Sequence, residues 1–271
     1  MSEAVVWAFD RGLLHGYGLF ETMRSYGGRV FRLEQHYRRL TEGASTIRLE
    51  LPLSLEELRS AIDALLERNV LPDARIRLTV TAGPVPEAGE ARPTIMLFAT
   101  PLTDYPPELY ERGMSAVTSA IRRNEMSPLS GVKSLNYLDN LLAREEALRR
   151  GADHAILLNT RGLVAEGSSS NVFVVDGETL LTPDLASGAL PGITRAVVIE
   201  IAPQAGLAVR ETRMAPETLS GAEEAFLTGS VMGVMPLTRL DGAPIGSGRP
   251  GPKTALLRRL YSDLVERETA Q

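Results

Sequence analysis

The sequence contains no cysteine, and only two of its 29 basic residues are lysines. Without cysteine there are no disulfides, no thiolate nucleophile and no cysteine-ligated metal. The three histidines, His15, His36 and His154, are scattered and give no metal-ligand spacing, so no metal is expected. Aromatic residues make up 5% of the chain, no basic run is interleaved with them, and the net charge of -5 is spread out; nucleic acid is not an expected partner. No apolar stretch approaches the roughly 18 residues that span a bilayer. Met1-Ser2-Glu3-Ala4 is acidic where a signal peptide would be basic. These absences point to a cytoplasmic protein with no membrane partner.

What is present fits a packed fold, with 44% hydrophobic and 23% charged residues in 271. That length suits one large domain or two smaller ones. Gly18 to Phe31 reads as a hairpin turning at Gly27-Gly28. Helical spacing follows at Leu33, Tyr37, Leu40 and at Leu55, Leu58, Ile62, Leu65, Leu66, the second opened by a Ser54/Glu57 capping box. Strand alternation returns at Ile76, Leu78, Val80 and at Ile95, Leu97, separated by the Pro/Gly-rich segment Gly83 to Pro93. The prolines at 101, 106 and 107 argue for a connection, and the chain is expected to divide into an N-terminal α/β lobe, 1–120, and a larger C-terminal lobe, 121–271. Beyond that connection strands are expected near Ser115 to Ile121, Ala155 to Leu158, Leu163 to Ala165, Asn171 to Val175, Leu180-Leu181, Ala225 to Leu227 and Val234 to Leu240. Helices are expected over Tyr137 to Arg150, Thr194 to Ala205 and Lys253 to Glu266. The fold class is α/β with mixed sheets.

The scarcity of lysine makes each one informative. Arginine occurs 27 times, and its guanidinium cannot lose a proton to form an imine, whereas a lysine amine can. Lys253, in the loop Gly251-Pro252-Lys253, reads as a surface charge. Lys133 sits in Ser130-Gly131-Val132-Lys133-Ser134-Leu135-Asn136, among small and apolar residues that suit a desolvated amine of lowered pKa. Pyridoxal phosphate needs an amine for its aldehyde, an acid for its pyridine nitrogen and donors for its phosphate. Lys133 is the candidate amine. Glu166, after Leu163-Val164-Ala165 and before Gly167-Ser168-Ser169-Ser170, is the candidate acid. Gly192-Ile193-Thr194-Arg195 opens a helix whose start favours an anion, and Arg39 could close on the same phosphate. Taken singly, each has a plainer reading: an exposed glutamate, a helix cap, a charged helix residue.

Their order and spacing resemble a family. Gly18-Leu19-Phe20-Glu21-Thr22, Arg39-Leu40, Lys133 to Tyr137, Glu166 to Phe173, Gly192 to Arg195 and Leu227-Thr228-Gly229-Ser230 resemble the class IV aminotransferases. These are the fold-type IV pyridoxal-phosphate enzymes, among them branched-chain and D-amino acid transaminases and aminodeoxychorismate lyase. The resemblance implies a two-lobed homodimer with the cofactor between the lobes. It implies Lys133 as Schiff-base lysine and acid–base group, Glu166 as partner of the pyridine nitrogen, and Arg39, Ile193 and Thr194 as phosphate ligands. Thr228, Gly229 and Ser230 would add phosphate or substrate contacts, and Phe20, Thr22 and Arg24 would face the substrate. Ala82 stands where D-amino acid transaminases usually carry a carboxylate-binding arginine. Thr22 and Ser230 to Pro236 look more like the lyases than the branched-chain enzymes, which usually have Phe-Glu-Gly. The expected activity is transfer of an amino group between an amino acid or amine and a keto acid. The alternative is release of pyruvate and 4-aminobenzoate from 4-amino-4-deoxychorismate. A catalytically silent binding protein on the same scaffold would have lost Lys133 or Glu166.

Overall fold

The computed structural model describes residues 5–85 and 92–270; the acidic segment Met1 to Ala4 and much of the Gly83-to-Pro93 connection lie outside the described residues. Two compact units form, Met1–Thr103 with Val132–Tyr137, and Asp104–Gly131 with Leu138–Gln271.

The first unit contains α1 (Arg11–His15), β1 (Gly18–Tyr26), β2 (Arg29–Val30), α2 (Leu33–Thr46), α3 (Leu55–Asn69), β3 (Ala74–Thr81) and β4 (Thr94–Pro101). Its antiparallel sheet has the order β2-β1-β3-β4. Gly27 and Gly28 both take positive φ, which a two-residue primed turn requires. Ser54 and Glu57 form the capping box that starts α3. Alternation puts Leu19, Met23, Ile76, Leu78 and Val80 on one face, packed with Leu33 and Leu40 of α2 and Leu58, Ile62 and Leu66 of α3. Phe20, Thr22 and Arg24 stand on the other face, opposite Thr79, Arg77 and Arg75.

Residues 132–137 join this unit because they hydrogen-bond along β1. Leu19 bridges Ser134, the Phe20 amide donates to the Lys133 carbonyl at 3.0 Å, and the Leu135 amide donates to the Gly18 carbonyl at 2.9 Å. Gly18 permits the approach, since a Cβ there would lie 2.5 Å from the Val80 carbonyl oxygen and 2.7 Å from Leu135 Cδ1. These units therefore differ from a single division at residue 120, which falls inside a strand of the second unit.

The second unit contains α4 (Pro107–Arg112), β5 (Met114–Arg123), α5 (Leu138–Arg149), β6 (His154–Asn159), β7 (Val164–Gly167), β8 (Asn171–Asp176) and β9 (Thr179–Pro183). It continues with α6 (Ile193–Ile201), β10 (Ala208–Thr212), α7 (Pro216–Ser220), β11 (Glu224–Gly229), β12 (Gly233–Leu240), β13 (Ala243–Pro244) and α8 (Pro252–Thr269). The sheet runs β10-β9-β8-β11-β12-β5-β6-β7, with β13 beside β12. β10 is parallel to β9, and β5 is parallel to both β12 and β6; the remaining pairs are antiparallel. β6 is buried along its whole length, as a strand covered on both faces should be. Ala143 and Ala147 of α5 pack on Val117, Ala155 and Leu157, their small size letting the helix lie close to the sheet. The expected helix over Thr194 to Ala205 is α6 followed by a 3-10 turn, Ala202–Ala205. No helix among the described residues is long and apolar enough to cross a membrane.

Candidate functional site

In the first unit the polar side chains gather around β1. Lys133 Nζ lies 4.4 Å from the centroid of the Phe20 ring and 5.7 Å from that of Tyr137, and these two rings meet edge to face at 5.2 Å. Arg77, opposite Thr22 on β3, places its guanidinium 3.5 Å from the Phe20 centroid. Burial, with Arg75 nearby, pushes the Arg77 guanidinium down to about 10.

Arg39 is only 8% exposed and turns its guanidinium on Glu21, with Nε donating to Oε1 at 2.8 Å and Nη2 to Oε2 at 2.6 Å. His36 Nδ1 lies 2.7 Å from the same Oε2. Burial alone would raise the Glu21 carboxyl, but Arg39 and His36 outweigh it and hold it at about 2. Burial pushes His36 below its ordinary range, although its bond to Glu21 opposes this. Arg38, the neighbour of Arg39, is exposed. The acid one helical turn before it, Glu34, pairs with Arg59 of α3.

In the second unit Glu166 is buried on β7. Its Oε2 accepts from the Leu190 amide at 2.8 Å, and its Oε1 lies 3.6 Å from Arg123 Nη2. Asn171, at the start of β8, pairs with Thr228 on β11 and donates from Nδ2 to the Leu190 carbonyl at 2.8 Å. Gly192 caps α6 with no side-chain hydrogen bond, and a Cβ there would collide with Asn171 Oδ1. Gly192, the residue before the first amides of α6 on Ile193 and Thr194, therefore packs against Asn171, which pairs with Thr228 on the adjacent strand. Thr228 is 1% exposed, and its Oγ1 is buried with no hydrogen-bond partner among the described residues. Gly229 and Ser230 follow it, half-buried. A phosphate-bearing cofactor fits this donor set, because a helix start favours an anion and the unmet Thr228 hydroxyl has a hydrogen bond to give.

The two units divide the expected residues. Arg39, Lys133, Phe20, Thr22 and Arg24 belong to the first, and Glu166, Ile193, Thr194, Thr228, Gly229 and Ser230 to the second. Arg195, which follows Thr194, turns instead to the Pro183 carbonyl and Glu211. Lys253 donates from Nζ to the Gly177 carbonyl, a structural bond for the second lysine. Sequence reasoning did not single out Glu21, His36, Arg77 or Arg123. The one available signal was Glu21, a lone acid between Leu19-Phe20 and Met23 in an otherwise buried strand.

Comparison with known proteins identifies the family. A family profile described as amino-transferase class IV matches residues 18–240. A putative branched-chain-amino-acid aminotransferase of Methanocaldococcus jannaschii is 39% identical over 97% of this chain and 92% of that protein. An aminodeoxychorismate lyase of Bacillus subtilis is 36% identical over 97% and 91%. The Escherichia coli branched-chain amino acid aminotransferase superposes with a TM-score of 0.92 at 32% identity, covering 99% of this chain and 92% of that one. With an α/β fold shared along its whole length and a family match from β1 to β12, this chain belongs to the class IV aminotransferases, a family of pyridoxal-phosphate enzymes.

Proposed function

We propose that the protein is a pyridoxal-phosphate transaminase acting on an amino acid or amine and a keto acid. The observation that carries the reading is the buried Thr228 hydroxyl without a hydrogen-bond partner among the described residues, on the strand beside Asn171, against which the Gly192 start of α6 packs. Thr194, the amides of Ile193 and Thr194, Thr228-Gly229-Ser230 and Arg39 would bind that group. Lys133 Nζ would hold the aldehyde carbon and, once displaced by the substrate amine, take the proton from Cα. Glu166 would hold a proton on the pyridine nitrogen, and Phe20, Thr22 and Arg24 would line the substrate. When bound, the cofactor supplies a conjugated ring that withdraws electrons from the substrate's Cα.

Aminodeoxychorismate lyase is the second reading. Thr22 and the Bacillus subtilis relative favour it, and it needs the same proton removal by Lys133. Mixing the loaded enzyme with amino acids, amines and aminodeoxychorismate separates the two. Keto product with transfer of the amino group is the expected result, whereas pyruvate and 4-aminobenzoate alone would make it the lyase. A colourless protein that binds no pyridoxal phosphate would end both readings.

The protein is read as a cytoplasmic homodimer. With no cysteine the fold has no disulfide that needs an oxidising compartment, which is consistent with that reading. Exposure of Leu138, Leu141, Leu142 and Leu148 along α5 supports the pairing, since a leucine stripe left in water is otherwise costly. Sedimentation as a monomer would refute the dimer.

A further inference from the structure

Arg123, the last residue of β5, is held by three separate elements. Its Nε donates to the Gly188 carbonyl at 3.3 Å, its Nη1 to Asn140 Oδ1 at 3.4 Å, and its Nη2 lies 3.6 Å from Glu166 Oε1. Asn140 is itself fixed, donating from Nδ2 to the Ser168 carbonyl at 2.9 Å. Gly188 takes φ 97, and a Cβ there would lie 3.1 Å from Arg123 Cγ, so the backbone is shaped around the arginine stem. A carboxylate as buried as Glu166 is costly unless a cation accompanies it, and the neutral alternative would present an O–H donor in place of an acceptor.

We propose that Arg123 is a positioning residue that keeps Glu166 ionised, so that Glu166 can accept a hydrogen bond from the protonated pyridine nitrogen of the cofactor. The proposal rests on the assignment of Glu166 to that nitrogen. With the Leu190 amide on Oε2 and Arg123 on Oε1, the carboxylate is fixed at both oxygens.

The test compares affinities of the apoprotein for pyridoxal phosphate and for 1-deazapyridoxal phosphate, in which a C–H replaces the ring nitrogen. The wild type should favour the nitrogen-bearing cofactor, and Glu166→Gln should lose the preference. Arg123→Met should reduce the preference about fivefold, the size of a partly buried ion pair, while Arg123→Lys should restore most of it. If Arg123→Met fails to fold, Arg123→Gln, which keeps a donor for Asn140 and lacks the charge, is read in the same way. A charge-free variant that weakens both cofactors equally and keeps the wild-type preference would show a structural role only and overturn the proposal. A wild-type preference in Glu166→Gln would overturn the assignment of Glu166, and the proposal with it. Loss of preference in Glu166→Gln but not at Arg123 would overturn the proposal alone.

Discussion

The first unit concentrates charge and the second disperses it. Around β1, Glu21, His36 and Arg39 form a buried cluster, and Arg77 and Lys133 share the Phe20 ring. In the second unit the anion-binding candidates are amides and hydroxyls, with Glu166 and Arg123 as the charged pair. Concentrated charge is expensive to disturb, because removing one member strands another away from water. Amides and hydroxyls each contribute less, and losing one leaves the others in place.

The largest effect expected is at Lys133. Lys133→Ala should abolish turnover, and Lys133→Arg should do so equally, since charge without a reactive amine is insufficient. Borohydride reduction and peptide mapping should find the cofactor on Lys133, and label on Lys253 would overturn the assignment. Next comes Glu166→Gln, which should slow exchange of the substrate's Cα proton on the order of a hundredfold while the cofactor still binds. Unchanged exchange would remove Glu166 from the chemistry.

Paired substitutions then test the comparison itself. Arg39→Ala leaves the buried Glu21 carboxylate without its guanidinium partner and should cost about 3–5 kcal/mol of stability, a loss that excess cofactor restores only in part. Thr194→Val should cost about tenfold in cofactor affinity, with thermal stability recovered by mass action. Similar losses and similar rescue in both would erase the distinction between the units. Arg38→Ala is the control, with an expected effect of no more than about a few tenths of a kcal/mol.

Acid titration offers a finer comparison. Glu21 is held at about 2 against 4.5, so its contribution to stability is complete above about pH 4.5 and is lost as the pH falls towards 2. In the second unit His154 is buried, with Nε2 2.9 Å from Ser170 Oγ. Burial first, then Arg144, pushes it down to about 4 from 6.5, with Asp153 opposing. Staying neutral while the unfolded chain takes up a proton, it contributes fully above pH 6.5 and loses that contribution as the pH falls to 4. Denaturation series should therefore show His154→Gln flattening the slope between pH 6.5 and 4, and Glu21→Gln flattening it below 4.5. A reversed assignment of the two windows would refute this account.

Much of this architecture is legible in the sequence where one strong local signal decides an element. The Gly27-Gly28 turn and the Ser54/Glu57 box are of that kind. Short polar elements gave no such signal. Ala208–Thr212 carries only weak alternation and becomes β10 through parallel pairing with β9, and five-residue α1 is opened by the side chain of Asp10. In the candidate site, the rarity of lysine singled out Lys133 because chemistry depends on residue type. The bonds among Glu21, His36 and Arg39 depend on how α2 packs against β1, and spacing along the chain does not report that packing.

The strip 132–137 along β1 has a consequence for synthesis. Its partners were made more than a hundred residues earlier, so a growing chain can assemble the helices and four strands of the first unit while the edge of β1 at Gly18 to Phe20 stays open. That edge is closed by the residues that carry Lys133. The Lys133 amine therefore reaches its ring partner Phe20 only when the nascent chain seals the sheet edge, and a fragment ending at Thr103 would keep the fold's first core while exposing an unpaired strand edge prone to association.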